Sequence, residues 1–319
     1  MQTDLFGNII PMNVEPETQG WSHSRANALE SCPRKYFYAY YGSKKRAARN
    51  LENKTHLEFL AKMGNRPLIM GTIIHETIDY YFRRYKAGSN HSLNQLLSHA
   101  FTKLEDAFAL TLKMQAAIKP IELKPDQKLF KEVYYGRIGN ISEFKEGIKQ
   151  KIQLNLTNFY TSEDFEFLRR GGKMKGSMQE SWVRLSILDF AKVVGKLDLC
   201  FEDYDQNFIV SDWKTGNLEN EETSLQLMIY ALWAVEARKI DKSRVKLYKA
   251  YLQEGTVEDL EFSDDHIMRA KMKVVQDSER MKYLHKYGID GNEAAFTKLP
   301  VRGKICEQCP FEEVCYKLN

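Results

Sequence analysis

Phe208-Ile-Val-Ser-Asp-Trp-Lys214 decides how this chain reads: a short apolar run that ends in an acid and a base two residues apart. Successive strand side chains alternate faces, so Val210, Asp212 and Lys214 share one face while Ile209, Ser211 and Trp213 share the other. A carboxylate and an ammonium then point into one cleft. Just upstream, a second strand-like stretch carries Gly195-Lys-Leu-Asp198. Phosphodiester hydrolysis calls for an oxygen-ligated divalent ion that polarises the phosphoryl group and acidifies an attacking water, plus a cation near the nucleophile or the developing charge. Asp198 and Asp212 are candidates to hold the ion, and Lys214 to orient the water or help deprotonate it. An isolated Asp-x-Lys is also what an ordinary exposed strand end looks like, so the neighbours decide.

Downstream, Thr223-Ser-Leu-Gln-Leu-Met-Ile-Tyr-Ala-Leu-Trp233 reads as an amphipathic helix, with Gln226 and Tyr230 four apart on one face. Thr223 followed three residues later by Gln226 is equally a capping-box pattern, which would close the helix N-terminus. Upstream, Gly71-Thr-Ile-Ile-His-Glu-Thr-Ile-Asp-Tyr-Tyr-Phe82 is another helix, where His75 shares its stripe with Ile78 and Phe82 and so points inward. An inward histidine is usually a hydrogen-bonded core residue, but its neutral imidazole is also a good metal ligand.

In these four motifs and their order the chain resembles the PD-(D/E)XK nuclease superfamily, specifically its RecB-like branch, over about residues 70–235. The resemblance implies an α/β fold: a restriction-endonuclease-like core with a central mixed sheet flanked by helices. It implies that His75, Asp198 and Asp212 bind magnesium or manganese, as one or two ions, with help from the Trp213 carbonyl. Lys214 becomes the catalytic lysine, and Gln226 and Tyr230 contact nucleic acid or brace the site.

Five cysteines form an independent line: Cys32, Cys200, Cys306, Cys309 and Cys315. The last three are clustered near the C-terminus, and in a chain whose start does not read as a signal peptide this points to metal ligation rather than disulfides. For the fourth ligand Cys32 is preferred, because Cys200 sits between Leu199 and Phe201 in a strand and reads as a packing residue. Spacing leaves zinc and iron–sulfur both open. Iron–sulfur nucleases of the RecB-like branch, such as the AddB subunit of bacterial helicase–nucleases and the CRISPR-associated RecB-like exonucleases, pair one N-terminal cysteine with a C-terminal trio spaced like this one. The resemblance therefore implies a [4Fe–4S] cluster on Cys32, Cys306, Cys309 and Cys315, which would staple the chain ends together in a mainly structural role.

The 319 residues suffice for a sizeable core, and 47 basic against 43 acidic residues give a net charge of only +4. Affinity for nucleic acid must then come from local patches. Candidates are Arg34-Lys35, Lys44-Lys45-Arg46 with Arg49, and Arg169-Arg170 through Lys173 and Lys175. Arg34 and Lys35 stand out because they adjoin Cys32 and the aromatic run Tyr36, Phe37, Tyr38, Tyr40 and Tyr41, a combination that suits single strands, although helical periodicity places most of those rings in the core. No apolar stretch approaches the ~20 residues needed to span a bilayer, and with no export signal a cytoplasmic location is expected. Gly171 to Ser177 has the glycine spacing of a phosphate loop but lacks its lysine, so unwinding would fall to a helicase partner in trans.

Residues 1–20 read as a flexible arm in which Gln2-Thr-Asp-Leu-Phe6 resembles a sliding-clamp docking pentapeptide. Residues 21–319 read as a single nuclease domain that includes a helical insertion over 90–175, arching over the cleft, and a cysteine-rich tail over 300–319. Ser24 is the expected cap of a helix from Arg25 to about Tyr41. Strands are expected at about 180–187, 192–202 and 207–213, then a hairpin at 245–252 and 257–262, and a long helix from Ser263 to about Tyr287. The reading is a metal-dependent DNA nuclease, an exonuclease on single strands or duplex ends, serving repair, recombination, phage or defence processing. The alternatives are a non-catalytic DNA-binding subunit of a helicase–nuclease or CRISPR-adaptation complex, or a flap or structure-specific endonuclease.

Overall fold

The computed structural model describes residues 2–3, 9–10, 20–89, 91–117, 123–124, 126–172, 177–187, 190–216 and 223–316. Two short pairs lie outside the main sheet: β1 (Gln2–Thr3) antiparallel to β2 (Ile9–Ile10), and β3 (Met63–Gly64) parallel to β4 (Leu129–Phe130). The main sheet is mixed, in the order β5 (Met178–Ile187), β6 (Ala191–Glu202), β7 (Phe208–Lys214), β8 (Val245–Tyr251) and β9 (Thr256–Leu260). Every pairing is antiparallel except β7 with β8. A parallel pair needs a crossover, and α9 (Thr223–Leu232) supplies it.

β7 is buried on both faces, so its alternation feeds two separate cores. Val210 packs with Leu247, Val183 and Val193 against α9 and α10 (Asp264–Ile289). Ile209 and Trp213 pack instead with residues of α4 (Arg66–Lys86), α5 (Leu93–Gln115) and α7 (Ile141–Thr161), where the rings of Phe82, Phe159 and Phe165 surround the Trp213 indole. The strands and the hairpin lie close to their expected positions, and Gly255 turns the hairpin at φ +74°. Ser263 caps α10 by accepting from the His266 N–H.

The N-terminal helix departs from expectation. Its cap is Ser22 rather than Ser24, and it stops at Ser31. Cys32 is extended (φ −165°, ψ 109°) before α2 (Pro33–Phe37) resumes, because the proline ring disfavours a helical residue before it. α2 runs on into a wider turn over Tyr38–Gly42. That geometry turns Tyr36, Phe37 and Tyr41 into the core against Phe296 and Tyr38 against Phe311, so these rings are packing groups and only Tyr40 of the run is partly exposed. Gly288 of α10 makes room for them, since a Cβ there would lie 2.6 Å from the Tyr41 ring. Asp4, Leu5 and Phe6 of the docking pentapeptide, with Lys173 and Lys175 of the basic run, lie outside the described residues. Among the described residues no helix is long and apolar enough to cross a membrane.

Candidate active site

The β6–β7 ladder runs from Glu202↔Phe208 to Leu199↔Ser211 and ends there. One step on, the Trp213 N–H donates to Asp198 Oδ2 at 2.9 Å, so a carboxylate accepts the bond a strand carbonyl would have taken. The other half of β6 instead bonds Trp21, through Trp21 N–H to the Lys192 carbonyl and Val194 N–H to the Trp21 carbonyl. The two strands therefore fork, with Asp198 on one prong and Asp212 on the other.

The fork is shaped from the β5 side by Glu180, which the motif reading did not single out. The pairs Gln179↔Leu199 and Ser181↔Leu197 leave Glu180 facing Asp198. Glu180 has φ +49°, a left-handed conformation that costs a non-glycine residue about 1–3 kcal/mol. Leu197 and Leu199 share a parity but lie in different cores, so β6 switches faces at Asp198, where strict alternation would forbid it. Strand distortion thus brings Glu180 and Asp198 to one point. α4 supplies the third group: His75 Nδ1 is 3.3 Å from Asp198 Oδ1 and 3.7 Å from Glu180 Oε1. One ligand atom from each of His75, Glu180 and Asp198 lies within 4.8 Å of the others. The helix approaches this closely because Gly71, one turn before His75, has no side chain; a Cβ would lie 3.2 Å from Thr215 Oγ1.

Charge in the fork is frustrated. Burial alone would lower the His75 pKa, but Asp198 and then Glu180 outweigh it and raise the imidazole to about 10. Burial likewise works against the Asp198 carboxylate, yet His75 and the Trp213 N–H hold it below the usual range. Asp212 goes the other way: burial and the neighbouring Asp198 charge push it up to about 6, even though Lys214 forms an ion pair with its Oδ2. That oxygen is buried, with the Lys214 ammonium against it. Lys196 pairs with Glu180. Three carboxylates are thus balanced by one imidazolium and two ammonium groups, and the imidazole must give up its proton before it can ligate an ion.

The glycine of Gly195-x-x-Asp198 and the tyrosine of Gln226-x-x-x-Tyr230 prove to be one contact. A Cβ on Gly195 would lie 2.7 Å from Tyr230 Cε1. The Tyr230 ring lies over this gap with its hydroxyl donating to the Lys196 carbonyl and accepting from Gln226 Nε2 at 2.9 Å. Tyr230 is buried, and burial raises its pKa. The pair braces β6 from α9. Gln226 spends its amide on Tyr230, and the Thr223 side chain of the proposed capping box lies outside the described residues.

Cys32, Cys306, Cys309 and Cys315 line one cavity of about 20 Å³ with Arg34, Lys35, Tyr38, Phe311 and Tyr316, whereas Cys200 is buried in the sheet core. All five thiols are free. Burial pushes the Cys309 thiol up to about 11, with Lys35 and Lys131 pulling the other way. A single tetrahedral ion draws its thiolates to about 3.8 Å apart, from metal–sulfur bonds of ~2.3 Å. Among the described residues no three cysteine sulfurs lie within 4.8 Å of one another. The tail is pinned by Lys131, which donates to the carbonyls of Glu307 and Cys309, and by buried Glu312, which also pairs with Arg137 and Arg302. Arg34 donates to the Phe296 carbonyl at 2.7 Å and pairs with Glu293, so this guanidinium ties the chain ends together.

A solved structure titled "Crystal structure of SSO0001" aligns over 68% of this chain and 95% of its own, at 16% identity and a TM-score of 0.29. No curated protein matches. The sequence profile of the PD-(D/E)XK nuclease superfamily, in contrast, matches residues 20–316, a span that takes in every group of the fork and all five cysteines. The chain belongs to the PD-(D/E)XK nuclease superfamily.

Proposed function

We propose that the protein is a magnesium- or manganese-dependent deoxyribonuclease of the RecB-like branch, acting from the ends of single-stranded or duplex DNA. The observation that carries this reading is the convergence of His75, Glu180 and Asp198 within 4.8 Å beside the Asp212–Lys214 pair. Members of the superfamily are typically metal-dependent nucleases, and His75, Glu180 and Asp198 offer the nitrogen and oxygen donors that a divalent ion takes. When bound by His75, Asp198 and Asp212, with Glu180 and the Trp213 carbonyl beside them, a divalent ion would supply electrophilic assistance to the phosphoryl group and acidify water. The rest is the chain's own work. Asp212 fixes the Lys214 ammonium, which orients the attacking water and offsets the negative charge that builds on the phosphoryl oxygens. Burial of the fork strengthens both effects, because charges interact more strongly away from water. Tyr230 and Gln226 hold β6, and with it Asp198, in place.

The four cysteines line one cavity, and the resemblance to the iron–sulfur nucleases of the RecB-like branch favours a [4Fe–4S] cluster there over a single zinc ion. Such a cluster would staple α2 to the C-terminal helices α11 (Lys304–Gln308) and α12 (Glu312–Tyr316). Residues 21–319 would then be one nuclease domain, with 90–175 as its helical insertion. A helicase acting in trans and a sliding clamp held through Gln2–Phe6 complete the proposed partners, in a cytoplasmic setting of repair, recombination or defence. The test is digestion of end-labelled linear and closed circular single-stranded DNA with Mg²⁺ or Mn²⁺. End-dependent cutting leaves the circle intact, whereas loss of the circle would show an endonuclease.

A further inference from the structure

The β5–β6 hairpin continues beyond the fork, and its outward face is unusual. Trp182 is 61% exposed, while Trp21, Trp213 and Trp233 are between 1% and 6% exposed. An exposed indole matters here for its setting, an ordered strand whose neighbouring outward positions carry cations. Strand pairing sets Trp182 opposite Lys196, Arg184 opposite Val194 and Ser186 opposite Lys192. The intervening Val183, Leu185, Ile187 and Val193 point into the core, so these six residues form the outer face, with three cations and no acid among them. This face adjoins the carboxylate fork: Trp182 is two residues, about 7 Å, from Glu180 along the strand. Lys196 already bridges the two regions through its ion pair with Glu180.

We propose that this face is a track for single-stranded DNA leading to the fork, with Trp182 as the base-stacking platform and Arg184, Lys192 and Lys196 holding the phosphates. The proposal rests on the nuclease reading for what lies at the end of the track. An aromatic platform interleaved with cations suits an unpaired strand, because every base has a face to stack whereas duplex bases are already stacked on each other. Duplex DNA would meet only the cations.

The experiment uses the full-length protein in EDTA, which prevents cutting, and a fluorescein-labelled dT oligonucleotide read by anisotropy. Trp182→Ala should weaken binding roughly tenfold and Trp182→Phe much less, from the stacking contribution of one base. Binding to duplex of the same length should change little in either variant. Arg184→Ala should lower the slope of log affinity against log salt by about 0.7, the loss of one phosphate contact on a single strand. Tyr204→Ala, at an exposed ring of the β6–β7 turn, should change nothing. Thermal melting of the Trp182 variants should match the native protein, since the indole is exposed. A native protein that does not bind the dT oligonucleotide, or a Trp182→Ala protein that binds it with native affinity, overturns the track. If native protein with Mn²⁺ cuts DNA while Trp182→Ala binds and cuts like it, the track alone has failed. If binding depends on Trp182 but no divalent ion supports cutting, it is the nuclease reading that has failed.

Discussion

Replacing Asp212 with asparagine should stabilise the metal-free protein while abolishing its activity. In the fork, burial and the adjacent Asp198 raise the Asp212 pKa from 3.8 to about 6, with the attraction of Lys214 already included. An acid whose pKa is higher folded than unfolded costs nothing while both states are protonated, below pH 3.8. The cost grows as the pH rises through this window and is complete above about pH 6. At 1.36 kcal/mol per pKa step, the full cost of ionised Asp212 is about 3 kcal/mol. The group is almost wholly buried, so solvent screening takes little from that figure. A side-chain amide at this position would keep the shape and drop the charge. In EDTA at pH 7.5 the Asp212→Asn protein should therefore melt about 6 °C above native, taking about 2 °C per kcal/mol for a chain of this size. The difference should vanish near pH 4. Adding Mn²⁺ should raise the native melting temperature, because a ligand that binds only the folded state stabilises it, and should raise that of the variant far less. A variant that melts at or below the native temperature at pH 7.5 in EDTA would refute the cost assigned to ionised Asp212 buried beside Asp198.

Glu180→Gln should weaken Mn²⁺ binding by about tenfold or more, measured by titration calorimetry, while leaving the fold intact. Gly195→Ala should cost about 1–3 kcal/mol in urea denaturation, because its Cβ would overlap the Tyr230 ring at 2.7 Å. Combined with Tyr230→Ala its effect should be less than the sum, since the clash disappears with the ring. Cys32→Ala should remove the brown colour and visible absorbance of an anaerobic preparation and lower its melting temperature, whereas Cys200→Ala should retain the colour; stoichiometric zinc in a colourless native protein would refute the cluster.

Much of the fold is legible in local pattern. Ile209 and Val210 alternate into opposite cores, as a strand between two helical layers requires, and Ser263 caps its helix as its position suggests. His75, Asp198, Asp212 and Lys214 were legible as candidates because their motifs lie on short, regular elements. Glu180 was not, because an acid at the start of a strand has no fixed spacing to Asp-x-Lys. Only the hairpin register, which sets it opposite Asp198, and its left-handed backbone mark it out. A register counted back from the turn after Ile187 would have found it. The Gly195–Tyr230 contact joins residues 35 apart in sequence, so neither motif reveals that it serves the other. Helical periodicity assigns most of the aromatic run after Cys32 to the core despite its basic neighbours, and Tyr36, Phe37, Tyr38 and Tyr41 are buried there.

The central claim is that the forked strands hold a divalent ion against a phosphodiester with Lys214 beside it. Its most direct test is the rate of Mn²⁺-dependent release from 5′- and 3′-end-labelled single-stranded DNA by the native protein and by Asp212→Ala and Lys214→Ala. The account predicts release by the native protein that stops in EDTA, with losses of about a hundredfold or more in both variants whose folds are unchanged by circular dichroism. Native protein inert with either metal, or variants that cut at the native rate, would contradict it.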